Sequence, residues 1–378
     1  MSPEPARLRL ALCGDVMLGR GVDQILPHPG NPAIYVSQNG ITDANVYVRA
    51  AEQRHGAIPA ARGFDYVWGD ALSIFASFAP DLRLINLETA ITAQGKPWPD
   101  KWIHYRMNPR NVAILVHANI EFCSLANNHV MDWGYVGLAE TLNTLATAGI
   151  TRAGAGRNRA NASSPAILSV PGKGRAIIVS FALPSGHMPP PWAADAEKPG
   201  VNLIEASRLG LDAVKQSVAG VKRPGDVLIA SVHAGNNYGH DIDPAERDLF
   251  RHLIDEAGFD LVHCHSSHHV KAIELYNGRP ILYGTGDLIN DYEGLPVRPE
   301  RATLSPDLGA IAFADFSPAS GACTGLFLCP TRLCRMRVER ADTDDADRLS
   351  MILTCESARF GTRIENRDGL LAVDFSRG

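Results

Sequence analysis

The stretch LRLALCGDVMLGRG, residues 8–21, opens with a short apolar run and then turns polar at a glycine and an aspartate. A run of this length predicts a buried β-strand, with Asp15 at its carboxyl end. Six further segments repeat the pattern: LRLINLE (82–88), IEFCSLAN (120–127), AIIVSFAL (176–183), DVLIASVH (226–233), DLVHCHS (260–266) and RPILYGTGD (279–287). These runs predict buried strands with loops at their carboxyl ends.

Helical patterns lie between several of these runs. GYVGLAETLNTLATAG (134–149) and DPAERDLFRHLIDEAG (243–258) both end at glycine, and the second begins with Asp-Pro, as expected of helix caps. The alternation of strands and helices predicts an α/β layered fold.

The organisation predicted from the sequence is a single domain over residues 1–378. We find no linker, repeat or low-complexity tract that would divide it. Irregular insertions are expected near residues 24–63 and 184–200, and a C-terminal tail packed on the domain is expected after about residue 300.

Composition excludes several classes of protein. With 45% hydrophobic and 20% charged residues, a chain of 378 residues can bury a large core. Its 36 basic and 41 acidic residues give a net charge of -5, which argues against a nucleic-acid partner. Seven cysteines without a C-x-x-C pair indicate thiols in a reducing compartment. Because no apolar run is long enough to span a membrane, we expect a soluble cytoplasmic protein.

Polar residues collect at the ends of the predicted strands, where open α/β sheets build ligand sites. They are Asp15, Glu88, the NNH stretch at 127–129 with Asp132, His233, and His265 with His268. One such residue alone is most often a helix cap. Carboxylates, an amide and imidazoles gathered at several strand ends instead predict a site for a divalent ion such as Mn, Zn or Fe.

The order of these motifs resembles the CapA-like (poly-γ-glutamate capsule protein) branch of the calcineurin-type metallophosphatases. The resemblance covers residues 8–295 and is carried by GDVMLGR, NLET, NNH, HAGNN and HSSH, followed by GTGDLIND. It implies a four-layered α/β/β/α sandwich with a metal centre at the carboxyl ends of the strands.

The resemblance also implies roles for individual residues. The implied metal ligands are Asp15, Glu88, Asn128, His233, His265 and His268. His129 would be an acid/base group, with His268 or Asp287 as the catalytic group opposite it. The residues expected on the substrate side are His104, Arg106, Ala234, Asn236 and Asn237.

Three departures from the family pattern shape these expectations. Met17 stands where the clan carries a histidine, and Glu88 replaces a shorter aspartate, so we expect one tight metal ion and a second weak site. Ala234 stands where CapA-like chains usually carry tryptophan, which is expected to open space beside His233 for a bulky substrate side chain.

A divalent ion at such a site can serve two chemistries. It can acidify water for phosphoester hydrolysis, or it can polarise a carbonyl so that a Cα proton is removed and returned. A weak second metal site and few basic residues near the motifs favour the second, namely epimerisation of a residue such as a C-terminal tryptophan in a lasso-type ribosomal peptide. Phosphoester hydrolysis and a role in poly-γ-glutamate capsule biosynthesis are the alternatives.

Overall fold

The computed structural model describes residues 7–35, 40–60, 62–296 and 299–376. Its strands are β1 (Leu8–Val16), β2 (Leu82–Leu87), β3 (Ala90–Ile91), β4 (Arg106–Met107), β5 (Phe122–Ser124), β6 (Thr151–Ala153), β7 (Ala155–Gly156), β8 (Ala166–Val170), β9 (Gly174–Ala182), β10 (Gly200–Val201), β11 (Val227–His233), β12 (Leu261–His265), β13 (Ile273–Tyr276), β14 (Arg279–Leu282), β15 (Asp287–Ile289), β16 (Leu308–Phe316), β17 (Cys323–Cys334), β18 (Arg337–Arg340), β19 (Ile364–Arg367) and β20 (Leu370–Val373).

The α-helices lie between these strands. They are α1 (Arg20–Ile25), α2 (Asn45–His55), α3 (Asp70–Phe78), α4 (Ala113–His117), α5 (Gly134–Thr147), α6 (Arg159–Ser163), α7 (Arg208–Val218), α8 (Pro244–Ala257), α9 (Pro299–Ala302) and α10 (Thr343–Ala358). Short 3₁₀ turns form at Pro109–Val112, Pro184–Gly186 and Pro190–Trp192. Within the described ranges, no helix combines the length and the apolar composition needed to cross a lipid bilayer.

Two large sheets organise the molecule. The first has the order β19-β20-β17-β16-β1-β2-β5-β6, with β15 paired to β1 and β18 to β17, and the second has the order β13-β14-β12-β11-β9-β8. β1, β2, β5 and β6 run parallel in the first sheet, as do β9, β11, β12 and β14 in the second. All seven strands and both helices expected from the apolar runs and helical patterns are present.

The chain after residue 300 contributes more than a tail. It supplies β16, which pairs antiparallel with β1, and the strands β17–β20 that continue the first sheet outward. The expected insertion at 24–63 likewise contains a regular helix, α2. The interpretation of the whole chain as one domain stays a prediction.

Three hydrophobic layers separate four layers of secondary structure. Alternate residues of the two sheets meet in an inner core, which is closed at one side by α10. The other face of the first sheet packs against α1 to α5, and the other face of the second sheet packs against α7 and α8. This arrangement confirms the four-layered α/β/β/α sandwich.

The inner layer changes from apolar to polar along its strands. Because side chains alternate between the faces of a strand, every second residue belongs to this layer. The inner rows read Leu82, Leu84, Asn86 and Glu88 from β2 onward, Val227, Ile229, Ser231 and His233 on β11, and Leu261, His263 and His265 on β12. The carboxyl ends of both sheets therefore enclose a polar compartment.

A β-bulge brings Asp15 into this compartment. Leu12 pairs with Leu84 while Asp15 pairs with Asn86, so β1 holds one extra residue between these pairs. The extra residue turns Asp15 to the inner face that Leu12 also occupies. Gly14 permits the bulge, since a Cβ there would lie 1.9 Å from the carbonyl oxygen of Gly286.

Replacing Gly14 by alanine should therefore destabilise the protein by about 3 kcal/mol or more, because two backbone segments would have to separate. Chemical denaturation measures this change. Gly149→Ala is the matched control, because it has a φ of 73° and no heavy atom within 4 Å of the added Cβ. That substitution should cost only about 1 kcal/mol. Equal losses in the two variants would contradict the close approach at Gly14.

Candidate metal centre

The carboxyl ends of the two sheets meet at Asp15. The backbone N–H of Ser266, directly after β12, donates to the Asp15 carboxylate at 3.3 Å to Oδ1 and 3.2 Å to Oδ2. This contact joins the first strand of one sheet to the histidine-rich loop of the other. Asp15 is fully buried, and Gly14 and Val16 on either side of it in the sequence are buried as well.

Two groups of ligand-type side chains share this carboxylate. Asp15 forms one group with His233 and His265 and a second with His268 and Asp287. Within each group, the ligand atoms lie within 4.8 Å of one another, and all of these residues are buried. The structure thus brings together four of the six predicted ligands and adds Asp287.

The first group contains two facing imidazoles. The Nδ1 atoms of His233 and His265 are 3.0 Å apart, and His265 Nε2 lies 3.1 Å from the hydroxyl of Ser231. His233 Nε2 is buried and has no hydrogen-bond partner within the described part of the chain. Burial lowers the pKa of both histidines well below the usual value, so both rings are neutral, as ligation requires.

The second group combines one imidazole with two carboxylates. His268 Nδ1 lies 2.9 Å from Asp287 Oδ1, and the side-chain amide of Asn237 donates to His268 Nε2 at 2.9 Å. Met17 is buried beside this group, where its sulfur accepts a 3.5 Å hydrogen bond from the hydroxyl of Tyr292. Asp287, from β15, therefore adds a carboxylate to this ligand group. Met17, in place of a histidine, was expected to weaken the group.

Glu88 is placed beside Asp15 rather than in either group. The amide of Asn86 donates to both carboxylates, at 2.7 Å to Asp15 and 2.9 Å to Glu88. The amide of Asn127 donates in turn to Asn86 Oδ1 at 3.0 Å. Neither asparagine was expected in this role. The position of Asn86, two residues before Glu88 on the same strand face, is the sequence signal that could have identified it.

The buried carboxylates of this cluster favour the binding of a cation. Burial and then the charge of Asp287 raise the pKa of Asp15 to about 7, and burial and then the charge of Asp15 raise that of Glu88 well above its usual value. Asn128 Oδ1 is also buried without a partner among the described residues. Carboxylates that oppose each other's ionisation, together with an unused amide oxygen and imidazole nitrogen, fit a divalent ion.

An acid/base dyad borders the cluster. His129 Nδ1 lies 2.6 Å from Asp132 Oδ2, while its Nε2 is 3.8 Å from Glu88 Oε1. The ammonium of Lys101 contacts both members, at 3.1 Å from His129 Nδ1 and 2.6 Å from Asp132 Oδ1. Burial lowers the pKa of His129 to about 4. Lys101 was not expected here, because a loop far from the NNH motif supplies it.

Residues 263–269 contain four histidines, and two of them, His263 and His269, have hydrogen-bond partners outside the ligand groups. His263 Nε2 lies 3.4 Å from the Thr285 hydroxyl. His269 accepts the N–H of Gly239 at 3.0 Å, and its Nδ1 lies 2.8 Å from the carbonyl of Val270.

A cleft of about 1160 Å³ leads to His268. Of the residues expected on the substrate side, His104, Asn236 and Asn237 line it. Arg106 does not line it but packs over the ring of Trp133 at 3.8 Å. Ala234 lies in the core between the second sheet and its helices, so the space left by the missing indole is not part of this cleft. His187, which belongs to none of the motifs, also lines it.

Comparisons with known proteins agree on one family. The model of the bacterial capsule synthesis protein PGA_cap family matches residues 9–292. A probable polyglutamine synthesis accessory protein of Mycobacterium tuberculosis is 43% identical over 376 residues, which cover 99% of this chain and 97% of that protein. The PGA biosynthesis protein CapA of Bacillus subtilis is 27% identical over 285 residues, covering 75% and 63%.

A crystal structure of a Mycoplasma pneumoniae phosphatase aligns with 91% of this chain and 98% of its own, with 10% identity and a TM-score of 0.49. The family match extends from before Asp15 to beyond Asp287 and so includes every residue of both ligand groups.

The two groups predict a specific pattern of metal content. After incubation with Mn²⁺ and desalting, the wild-type chain should retain up to two ions, and His233→Ala and Asp287→Asn should each retain one fewer. Asp15→Asn should retain none, because it removes the shared ligand. Elemental analysis measures the ratio. Asp307→Asn, an exposed carboxylate on the same cleft, is the control with an equal change of charge. A wild-type ratio in Asp287→Asn would contradict the second group.

The raised pKa of Asp15 predicts how pH affects the metal-free protein. An unfolded aspartate ionises near pH 4, whereas folded Asp15 does so near 7, so its cost to stability is absent below about pH 4 and complete above 7. Asp15→Asn removes that cost. In chelator-treated samples, its melting temperature should exceed the wild-type value at pH 8 by more than at pH 5. The substitution also removes the charge of Asp15 that raises the pKa of Glu88, which changes the difference in the same direction. An equal difference at both pH values would contradict the assignment.

Proposed function

The chain belongs to the bacterial capsule synthesis protein PGA_cap family, as its CapA-like motifs indicated, and we propose that it is a metal-dependent phosphoester hydrolase. The observation that carries this proposal is the shared Asp15: two ligand groups meet at one carboxylate, and an acid/base dyad stands beside them. From the names of its relatives, we propose that it serves the synthesis of a glutamyl polymer.

The ligand groups favour hydrolysis over epimerisation. The sequence offered His268 and Asp287 as the acid/base groups that would face His129 across a Cα atom. Both lie in the second ligand group instead, where a bound ion would occupy their lone pairs. A site that can hold two cations around one carboxylate suits the displacement of a leaving group by water.

Each component has a separate task in this proposal. Divalent ions held by the two groups would supply Lewis-acid stabilisation of an oxyanion and would lower the pKa of water. Asn86 fixes the Asp15 and Glu88 carboxylates with its amide N–H groups. Asp287 contacts Nδ1 of His268 and Asn237 contacts its Nε2, and an ion bound by His268 would replace one of these two contacts.

His129 is placed to supply the proton that the leaving group needs. Its Nδ1 is engaged by Asp132 at 2.6 Å, which directs Nε2 toward Glu88 and the ligand groups. Burial keeps the ring neutral on its own, but a bound phosphoryl group brings negative charge close to Nε2 and favours uptake of a proton from water at that nitrogen. The proton can then pass from Nε2 to the leaving oxygen as its bond to phosphorus breaks.

The cleft carries the positive charge that phosphoester chemistry requires. The sequence showed few basic residues near the motifs, but arginines from distant segments converge on the cleft walls. They are Arg20, Arg54, Arg301, Arg332 and Arg348. The tertiary structure, rather than the spacing of the motifs, thus brings together the positive charges that would bind an anionic substrate.

Epimerisation of a peptide residue stays the second candidate, and one feature favours it. Trp102 is 60% exposed and lines the mouth of the cleft beside Ile103, which would suit an apolar peptide side chain. Incorporation of one deuterium at a single residue of a precursor peptide in deuterated water, dependent on metal, would establish this reaction in place of hydrolysis.

The proposal predicts a defined loss of activity at the dyad. With 4-nitrophenyl phosphate and Mn²⁺, His129→Gln should lower kcat by about 10²- to 10⁴-fold, because the leaving group loses its proton donor. Asp132→Asn should lower kcat as well, because His129 loses the partner that fixes its tautomer. Metal content should remain at the wild-type level in both variants.

His252→Gln is the matched control, since this histidine is exposed on α8 and belongs neither to the cleft lining nor to the ligand groups. Wild-type turnover in metal-replete His129→Gln would exclude this residue as the proton donor. An absence of phosphoester turnover in the metal-loaded wild-type protein would overturn the proposed function itself.

A further inference from the structure

Arg301 and its neighbours on the cleft wall differ in their ion pairs. Arg20 is ion-paired with Asp291, Arg348 lies 3.8 Å from Asp345, and Arg332 lies 3.2 Å from Asp342. Arg54 and Arg301 line the same cleft, but among the described residues neither has a carboxylate within the 4.0 Å of an ion pair. Arg54 is exposed, whereas Arg301 is half-buried, so the charge of Arg301 gives up part of its hydration without a described carboxylate in return.

The orientation of Arg301 is fixed by an aromatic platform. Its guanidinium carbon lies 4.1 Å from the centre of the Tyr238 ring. The Tyr238 ring in turn lies 5.5 Å from that of His268, a member of the second ligand group. Tyr238 therefore lies next to both Arg301 and His268, which line the same cleft.

A guanidinium over an aromatic ring keeps N–H donors in its plane, and Arg301 also hydrogen-bonds the Tyr238 side chain. Such a group is well suited to paired hydrogen bonds with a carboxylate or phosphate, and it loses little freedom when it binds because its plane is already set. Arg301 reaches the cleft from α9 and belongs to neither ligand group, so its donors offer a place for an anion on the cleft wall.

We infer that Arg301 is a specificity-determining residue, which binds a second anionic group of the substrate on the cleft wall, apart from the group at the metal centre. This inference rests on the proposed function for the position of the reacting group. It adds that the substrate carries at least two anionic groups along its length. Tyr238 is a positioning residue in this arrangement, because it holds the guanidinium in place.

The test compares two peptides that differ in charge alone. Binding of acetylated tetraglutamate and acetylated tetraglutamine to the Mn²⁺-loaded full chain is measured by calorimetry. The wild-type protein should bind tetraglutamate at least about tenfold more tightly, as expected for a charge-assisted hydrogen bond. Arg301→Gln should abolish this preference, whereas Arg301→Lys should retain part of it as a point charge.

Arg367→Gln is the matched control, with the same change of charge at an exposed arginine outside the cleft that already has a carboxylate neighbour, Glu365. It should retain the preference. A preference that persists in Arg301→Gln, that falls equally in Arg367→Gln, or that is absent from the wild-type protein would overturn the inference. Loss of the preference in Arg301→Gln alone, in a protein that hydrolyses no phosphoester, would support Arg301 and overturn only the proposed reaction.

Discussion

Three carboxylates buried in one compartment are the constraint on which the rest of the site depends. Asp15, Glu88 and Asp287 are each at most 4% exposed, and burial together with the charge of a neighbouring carboxylate raises the pKa values of Asp15 and Glu88. Charged groups in such a place are costly unless a counter-charge or hydrogen bonds compensate. Asn86 supplies two N–H bonds and Ser266 a backbone N–H, but neither brings positive charge. A divalent cation brings positive charge. The cluster that destabilises the metal-free chain is therefore suited to bind metal.

The fold can accommodate this compartment because it is separate from the layers that stabilise the molecule. Apolar halves of the inner strands and two outer helix layers bury the bulk of the hydrophobic surface. The polar halves then meet only at the carboxyl ends, where parallel strands of both sheets terminate together. The bulge at Asp15 and the close backbone contact at Gly14 are local distortions of a regular strand, and they set the position of the shared carboxylate. Stability and chemistry thus occupy opposite ends of the same strands.

Much of this architecture can be predicted from the sequence. The remainder depends on contacts between distant segments, which local sequence patterns do not indicate. Short apolar runs and their polar ends predict the strands and the location of Asp15, His233, His265 and His268, because strand periodicity is a local property. Asp287 was expected opposite His129 and not among the metal ligands, because the pairing of β15 with β1, which brings it beside Asp15, is a contact between distant segments. The same is true of Lys101 at the dyad and of the arginines on the cleft. The strands after residue 300 lie beside β1 through long-range antiparallel pairing that local patterns do not indicate.

The two ligand groups also differ in chemistry, which bears on the ions they would select. The group of Asp15, His233 and His265 offers two imidazoles and one carboxylate, whereas that of Asp15, His268 and Asp287 offers one imidazole and two carboxylates. Nitrogen donors favour ions such as zinc or iron, and oxygen donors favour manganese or magnesium. Because both groups use Asp15, a first ion would neutralise the carboxylate that the second needs and would repel it electrostatically. Unequal affinity at the two positions therefore follows from the shared ligand itself, and the methionine at position 17 is not required to explain it.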